Sequence, residues 1–131
     1  MLPKLKKHSL IFLTVILTLG LFALLPLVAK TQTAPRDLVL VVRDMTFYLE
    51  GDTQPNPTIR VKQGQEIHLV LRNEETGMTH NFAVPGWKVA VPPLRGDGSI
   101  TMSFRVPTKP GTYQYLCNPH SQMMTGQIEV E

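Results

Sequence analysis

The chain is poor in cysteine, with Cys117 as its one such residue among 131. A single cysteine excludes an intrachain disulfide framework, a CxxC redox motif and any zinc site built from several cysteines. Charge is also scarce, because only 18% of the residues are Asp, Glu, Lys or Arg. Any chemistry that uses Cys117 must therefore draw its partners from other residue types.

The basic residues are concentrated near the N-terminus. Residues 1–30 contain four lysines and no acid, a charge of +4, whereas residues 31–131 contain nine basic and ten acidic side chains, a charge of −1, and together they give +3. The second segment, of about 100 residues, is long enough for one small domain with its own core. Because this domain is nearly neutral, it lacks a broad cationic surface, and we expect no nucleic-acid partner.

Residues 10–29 form an uncharged and almost entirely apolar run that follows three lysines. The apolar core of a secretory signal peptide usually has about 7–15 residues, whereas a helix that spans a bilayer needs about 20. The length therefore favours a retained membrane anchor. A cleaved leader is the alternative, and Ala29 or Ala34 could end it.

Lysines before an apolar run keep the N-terminus in the cytoplasm, so the domain faces outward with either type of leader. We predict a signal peptide or transmembrane anchor with a short tether in residues 1–35, and one folded domain in residues 36–131. The predicted location is periplasmic or extracytoplasmic, with N-terminal anchoring to the cytoplasmic membrane through residues 10–29 if they are not cleaved.

After Pro35 the apolar pattern changes from continuous to alternating, and β-branched residues become frequent. Nine of the 11 prolines and eight of the nine glycines lie in residues 31–131, which leaves no room for a long helix. Short strands between such turns predict an all-β Greek-key sandwich or barrel, preceded by the N-terminal apolar helix. The predicted strands are residues 38–43, 46–49, 58–61, 66–72, 80–84, 88–91, 99–106, 112–117 and 127–130.

The segment that begins at Cys117 is rich in side chains that bind metals. His120, Met123 and Met124 follow within eight residues, and His80 supplies a second imidazole at the start of a predicted strand. A thiolate, two imidazoles and a weak axial thioether are the ligands of a trigonal blue-copper site. Sulfur donors favour Cu(I) and imidazoles also accept Cu(II), so this mixture suits an ion that changes its charge by one.

Each of these residues also has a more ordinary interpretation. A free cysteine is usually a buried small hydrophobic residue, and His80 alone would be a surface or capping histidine. His68 lies in the middle of a strand, opposite the apolar face, and is expected to be solvated or packed rather than a ligand. The pair Glu74 and Glu75 is typical of a solvated turn.

Residues 111–120, followed by Met124-Thr125-Gly126, closely resemble the C-terminal copper loop of plastocyanin-like cupredoxins. Residues 61–67 resemble an earlier strand of that family, and Thr79-His80-Asn81 resembles the segment with its upstream histidine. The resemblance covers residues 38–131. It implies an eight-stranded Greek-key fold, one type 1 copper ion and one-electron transfer.

By this resemblance the copper ligands are His80, Cys117, His120 and an axial methionine. Family members usually have Met-x-Gly before the last strand, which selects Met124, whereas counting from the histidine in the shortest family loops selects Met123. We favour Met124 because anchoring to a strand is the stronger geometric constraint. Asn81 matches the family's asparagine that hydrogen-bonds the cysteine-bearing loop.

Two positions depart from plastocyanin. Leu116 stands where plastocyanins usually have a tyrosine next to the cysteine. Residues 82–87 are closer to the copper domain of oxidase subunit II and nitrous-oxide reductase. Those relatives hold two copper ions with two cysteines, so the single Cys117 favours a mononuclear site.

The leading hypothesis is a mononuclear type 1 copper electron-transfer protein on the outer side of the cytoplasmic membrane. It would act as a monomer, with redox protein partners docking near His120. The alternative is an extracytoplasmic copper-binding protein for delivery or storage. A catalytic Cys117 paired with His120 has no evident orienting acid or oxyanion motif, so we expect no enzymatic activity.

Overall fold

The computed structural model describes residues 33–131, so the predicted apolar helix of residues 10–29 and the leader that contains it lie outside the described part. Within residues 33–131, no helix is both long and apolar enough to cross a membrane. The described part contains eleven strands and two short 3₁₀ helices, Pro85–Trp87 and Asn118–His120. The strands are β1 Arg36–Arg43, β2 Thr46–Leu49, β3 Ile59–Val61, β4 Glu66–Asn73, β5 Thr79–His80, β6 Ala83–Val84, β7 Val89–Ala90, β8 Leu94–Arg95, β9 Gly98–Arg105, β10 Gly111–Leu116 and β11 Thr125–Val130.

The strands form two main sheets and one small one. The first sheet has the order β2-β1-β4-β9 and the second the order β3-β11-β10-β6-β7, while β5 and β8 pair separately. The β1–β4 and β3–β11 pairs are parallel and the other pairs are antiparallel. The predicted all-β Greek-key sandwich is confirmed.

Alternation along the strands separates the core from the surface as the sequence predicts. In β4 the side chains of Ile67, Leu69 and Leu71 are buried, while those between them are partly exposed. Successive side chains of a strand point to opposite faces, so a period of two gives β4 one apolar face. Burying each such side chain contributes about 1.5–3 kcal/mol.

Three aromatic rings fill the core where the two sheets meet. Phe82 and Tyr115 stack with their centroids 5.3 Å apart, and Phe47 meets them edge-on at 6.1 and 5.5 Å. All three side chains are fully buried. Because Tyr115 lies in β10, two residues before Cys117, this cluster supports the end of the strand that carries the cysteine.

One predicted strand is wrong in the structure. Residues 80–84 divide into β5, which pairs with β8, and β6, which pairs with β10 in the second main sheet. The five residues from His80 to Val84 are all buried, so they show none of the alternation that defines a single half-buried strand. The partner strand β8 was not predicted. The division places His80 in a small sheet of its own, beside the loop that carries Cys117.

Candidate metal centre

Three of the side chains predicted as ligands meet at one end of the sandwich. His80 comes from β5, Cys117 follows β10, and His120 ends the 3₁₀ helix Asn118–His120. The Sγ atom of Cys117 lies 3.8 Å from Nδ1 of His80 and 3.7 Å from Nδ1 of His120. Each of the three residues offers one ligand atom, and these three atoms lie within 4.8 Å of one another. A soft sulfur and two imidazole nitrogens that converge in this way fit a copper ion.

The loop of residues 117–124 is closed by its own backbone. The amide of Cys117 donates to the carbonyl of Met124 at 3.0 Å, and the amide of His120 donates to the carbonyl of Cys117 at 3.0 Å. The carbonyl of His120 then accepts from the amides of Met123 and Met124. Pro119, in the first turn of the 3₁₀ helix, has the fixed φ that suits this position. The chain therefore turns back at once, which brings His120 next to the sulfur.

Asn81 connects this loop to the upstream histidine. Its Oδ1 atom accepts a hydrogen bond from the backbone amide of Asn118 at 2.8 Å, and only 3% of the residue is exposed. The role that the resemblance implied for Asn81 is confirmed. Because Asn81 directly follows His80, one hydrogen bond fixes the distance between the two segments that supply the site.

The surroundings of Cys117 control its acidity. The thiol is fully buried, and burial raises its pKa, while the backbone amides of Asn81 and His120 act in the opposite direction. A buried thiol with a raised pKa is a poor nucleophile in the absence of metal. The environment thus disfavours a catalytic cysteine, the third hypothesis considered above.

The two candidate axial residues differ in burial. Met124 is fully buried, whereas 56% of Met123 is exposed. Only glycine fits at position 126, because a Cβ there would lie 2.3 Å from Cζ of Tyr115. This close approach explains the glycine of the Met-x-Gly motif. The Tyr115 ring is itself held by a 2.7 Å hydrogen bond from its hydroxyl to the carbonyl of Pro57. The glycine therefore lets β11 begin against the tyrosine, with Met124 turned into the core.

The sequence of residues 50–131 matches the model of the copper-binding proteins of the plastocyanin/azurin family. The chain belongs to this family. Its cofactor is one type 1 copper ion, for which the convergent side chains described above are suitable. A sequence comparison with curated proteins gives no significant match.

Solved structures share the fold of this cupredoxin. A chain in a heme-copper terminal oxidase dimer is 18% identical with a TM-score of 0.59, and the match covers 95% of each chain. Auracyanin A, a blue copper protein from the green thermophilic photosynthetic bacterium Chloroflexus aurantiacus, is 15% identical with a TM-score of 0.54, covering 74% of this chain and 99% of that one. Rusticyanin is 20% identical with a TM-score of 0.51, covering 79% and 84%.

Glu75 is the residue of the cupredoxin site that the sequence did not indicate. Its Oε2 atom lies 2.6 Å from Nε2 of His80, and only 16% of the Glu75 side chain is exposed. The prediction of a solvated turn holds for Glu74, which pairs with Arg72 at the surface, and is wrong for Glu75. Burial lowers the pKa of His80, and the nearby Glu75 acts in the opposite direction. Glu75 lies in a loop, five residues before His80. No helix or strand periodicity extends through a loop, so the sequence pattern does not reveal their contact.

The surface around His120 is an open depression. Pro119, Ser121, Gln122 and Met123 line it together with His120, whose side chain is partly exposed. His68, in contrast, lies on the exposed face of β4, where Nδ1 is 3.2 Å from a carboxylate oxygen of Asp37. The structure thus places His68 on the surface, beside Asp37 and apart from the three convergent side chains.

Proposed function

We propose that this protein is a mononuclear type 1 copper electron carrier that works outside the cytoplasmic membrane. The proposed ligands are His80, Cys117 and His120, with Met124 in the axial position and Met123 left free. The observation that carries the proposal is the fully buried thiol with two imidazole nitrogens close to its sulfur, one at 3.8 Å and one at 3.7 Å. Membership of a copper-binding family supports the same choice.

Bound copper would supply the one-electron couple, and the protein would supply a fixed and dry environment. His80, Cys117 and Met124 are fully buried. The aromatic cluster below Cys117 and the short hydrogen-bonded loop above it limit the movement of these side chains. A site that cannot rearrange or admit water is suited to transferring an electron without making or breaking bonds. This role involves no enzymatic turnover.

His120 is the proposed ligand through which electrons would enter and leave. Of the four proposed ligands, it alone is partly exposed. Its depression carries the exposed thioether of Met123, and Met78, also exposed, lies two residues before His80. A small and partly apolar surface of this kind fits the brief docking of redox proteins, which use interfaces below about 1,200 Å². The carrier would work as a monomer.

The leader supports a position on the outer side of the membrane. Residues 10–29 are apolar and follow three lysines, which predicts export with the N-terminus inside. We propose that residues 1–35 are the anchor or signal and that residues 36–131 form the copper domain. Determining the mass of the mature protein would separate the two types of leader, because cleavage after Ala29 or Ala34 removes the first 29 or 34 residues.

Visible spectroscopy of the copper-loaded protein tests the carrier. We expect an intense charge-transfer band from the Cys117 thiolate to copper, and its loss in Cys117→Ser. His68→Gln is the matched control, because His68 lies away from the centre and should leave the band unchanged. Absence of the band in the wild-type protein, or its survival in Cys117→Ser, would rule the proposal out.

A second candidate function, copper delivery or storage, is favoured by the exposed thioethers. Met123 and Met78 are 56% and 38% exposed, and thioether sulfur binds Cu(I). Electrochemistry together with a competing Cu(I) chelator separates the two functions. A carrier cycles reversibly and retains its copper, whereas a delivery protein gives Cu(I) up to the chelator, and Met123→Leu should then slow the release.

A further inference from the structure

The carboxyl group of Glu75 has two contacts, one for each oxygen. Oε2 lies 2.6 Å from Nε2 of His80, and Oε1 accepts a hydrogen bond from the backbone amide of Met45 at 2.7 Å. Within residues 33–131, Oε2 of Glu75 and Nε2 of His80 are both buried, and neither makes a hydrogen bond of regular geometry. Their 2.6 Å approach to each other is the close polar contact that each has. The carboxyl group thus lies between the backbone amide of Met45 and the Nε2 side of the His80 ring, which is opposite the Nδ1 atom that faces Cys117.

Distant parts of the chain hold Glu75 in this position. Its amide donates to Oδ1 of Asn73 at 3.0 Å, and the side-chain amide of Asn73, which is fully buried, donates to the carbonyl of Gly96 at 2.8 Å. On the other side, Asp44 and Met45 both have positive φ, of 51° and 54°. Two successive non-glycine residues rarely adopt this conformation. The strained turn between β1 and β2 directs the Met45 amide at Glu75.

The short distance favours one position for the imidazole proton. A nitrogen and an oxygen 2.6 Å apart repel each other unless a hydrogen lies between them. In a neutral imidazole one nitrogen is a donor and the other an acceptor. When Nε2 donates to Glu75, Nδ1 presents its lone pair towards Sγ of Cys117, which is 3.8 Å away.

We propose that Glu75 is a positioning residue that fixes the ring and tautomer of His80 and, through its negative charge, stabilises Cu(II) relative to Cu(I). Carboxylates that accept a hydrogen bond from the outer nitrogen of a ligating histidine act in this way at metal sites. The inference rests on the proposed role of His80 as a ligand. It adds a means of setting the reduction potential that none of the four ligands provides.

Glu74 is a matched control on the same segment. Its carboxylate accepts from Nε of Arg72 at 3.1 Å, and 42% of its side chain is exposed. Replacing Glu74 by Gln removes the same charge from the next residue without touching His80. Glu75→Gln removes the charge but leaves a side-chain oxygen that accepts from Nε2, and Glu75→Ala removes both.

The first experiment uses the metal-free protein. The nitrogen chemical shifts of His80 in a two-dimensional NMR spectrum identify the protonated nitrogen. We expect a proton on Nε2 in the wild type, Glu75→Gln and Glu74→Gln, and a mixture of tautomers in Glu75→Ala. A wild-type proton on Nδ1, or an unchanged tautomer in Glu75→Ala, would overturn the proposal.

The second experiment uses the copper-loaded protein. Loss of an outer hydrogen-bond partner weakens metal binding about 10–100-fold, so Glu75→Ala should bind copper more weakly by this factor in competition with a chelator. Glu75→Gln should have a higher reduction potential than the wild type, and Glu74→Gln should not. Equal potentials in the wild type and Glu75→Gln would overturn the role of the charge.

The two proposals fail in different ways. If the wild type lacks the charge-transfer band, the copper carrier is wrong, while the NMR experiment still tests the position of Glu75. If the band is present but Glu75→Ala keeps the wild-type tautomer and affinity, only the role of Glu75 is wrong. If Glu75→Ala does not fold, the reduction potential of Glu75→Gln, compared with that of the wild type, still tests the role of Glu75.

Discussion

Residues 117–126 carry three of the four proposed ligands and are closed mainly by hydrogen bonds within the loop itself. Two side chains from outside also bond to it, Asn56 to the carbonyl of Met123 and Asn81 to the amide of Asn118. Residues 74–81 carry a single proposed ligand, and side chains and amides from elsewhere hold them. The carboxylate of Glu75 accepts a hydrogen bond from the Met45 amide. The amide of Glu75 donates to the side chain of Asn73, which in turn donates to the carbonyl of Gly96. The first segment is thus fixed by its own sequence, and the second by its neighbours in the fold.

The two segments also place their histidines differently. His80 is fully buried and is contacted from behind by Glu75, whereas His120 is partly exposed and lines an open depression. The difference indicates a division of roles at the copper centre. Under the proposed function, the upstream segment would determine the properties of the metal, and the C-terminal loop would present it to a partner.

Replacing each histidine by glycine should give the largest difference between the two segments. Both His80→Gly and His120→Gly should lose the charge-transfer band. Added imidazole should restore it only in His120→Gly, because that vacancy opens to the surface depression while the one at His80 is enclosed. Titration of the copper-loaded variants with imidazole, followed by visible spectroscopy, measures this. Equal recovery in both variants would contradict the division of roles.

Within the C-terminal loop, the adjacent methionines should differ strongly. Met124→Ala removes a fully buried side chain and should lower the free energy of unfolding of the metal-free protein by about 2–5 kcal/mol. Met123→Ala changes an exposed residue and should stay within about 0.5 kcal/mol. Denaturant unfolding of both variants measures the difference. Similar losses would mean that Met123, not Met124 alone, is part of the packed interior.

The hydrogen bond between the two segments should have an intermediate effect. Asn81→Leu leaves the backbone amide of Asn118, which makes a partly buried hydrogen bond, without its acceptor, and this should lower the free energy of unfolding by about 1–2 kcal/mol. The band of the copper-loaded variant should also shift, because His80 is no longer held against the cysteine loop. Asn118→Ala, which keeps the backbone amide, is the control. A full effect in the control would show that side-chain packing dominates.

The smallest expected effect depends on pH and acts at the base of the C-terminal loop. Burial raises the pKa of the Tyr115 phenol above its usual value of about 10. The unfolded chain therefore releases this proton first, so the stabilisation is complete below about pH 10 and falls as the pH rises further. Tyr115→Phe should show a shallower alkaline loss, after starting about 0.5–1.5 kcal/mol lower without the hydrogen bond to Pro57.

Unfolding free energies of the wild type and Tyr115→Phe, measured from neutral to alkaline pH, test this expectation. Tyr113→Phe controls for the remaining tyrosines, because its partly exposed hydroxyl bonds only to the carbonyl of Lys109. Parallel slopes for the wild type and Tyr115→Phe would show that Tyr115 is not responsible for the alkaline loss.

The sequence predicted those parts of the molecule that depend on neighbours in the chain. The alternating strands, the short spacing from Cys117 to His120 and Met124, and the Asn81 hydrogen bond all followed from local patterns or from the family motif they resemble. The division of residues 80–84 and the burial of Glu75 did not. Both depend on contacts with distant segments, such as the one between Glu75 and Met45, 30 residues apart, and no periodicity records them.

The close packing of Gly126 on Tyr115 has a consequence for engineering. The tyrosine lies before the copper loop and the glycine after it, so the two form a matched, closely packed pair at the base of the loop. A loop graft from another copper protein that replaces only residues 117–124 would keep this pair, so the two ends of the new loop would have the same spacing as those of the original loop. A graft that includes either Tyr115 or Gly126 would have to carry both, so residues 115–126 are the smallest graft that brings its own matched pair.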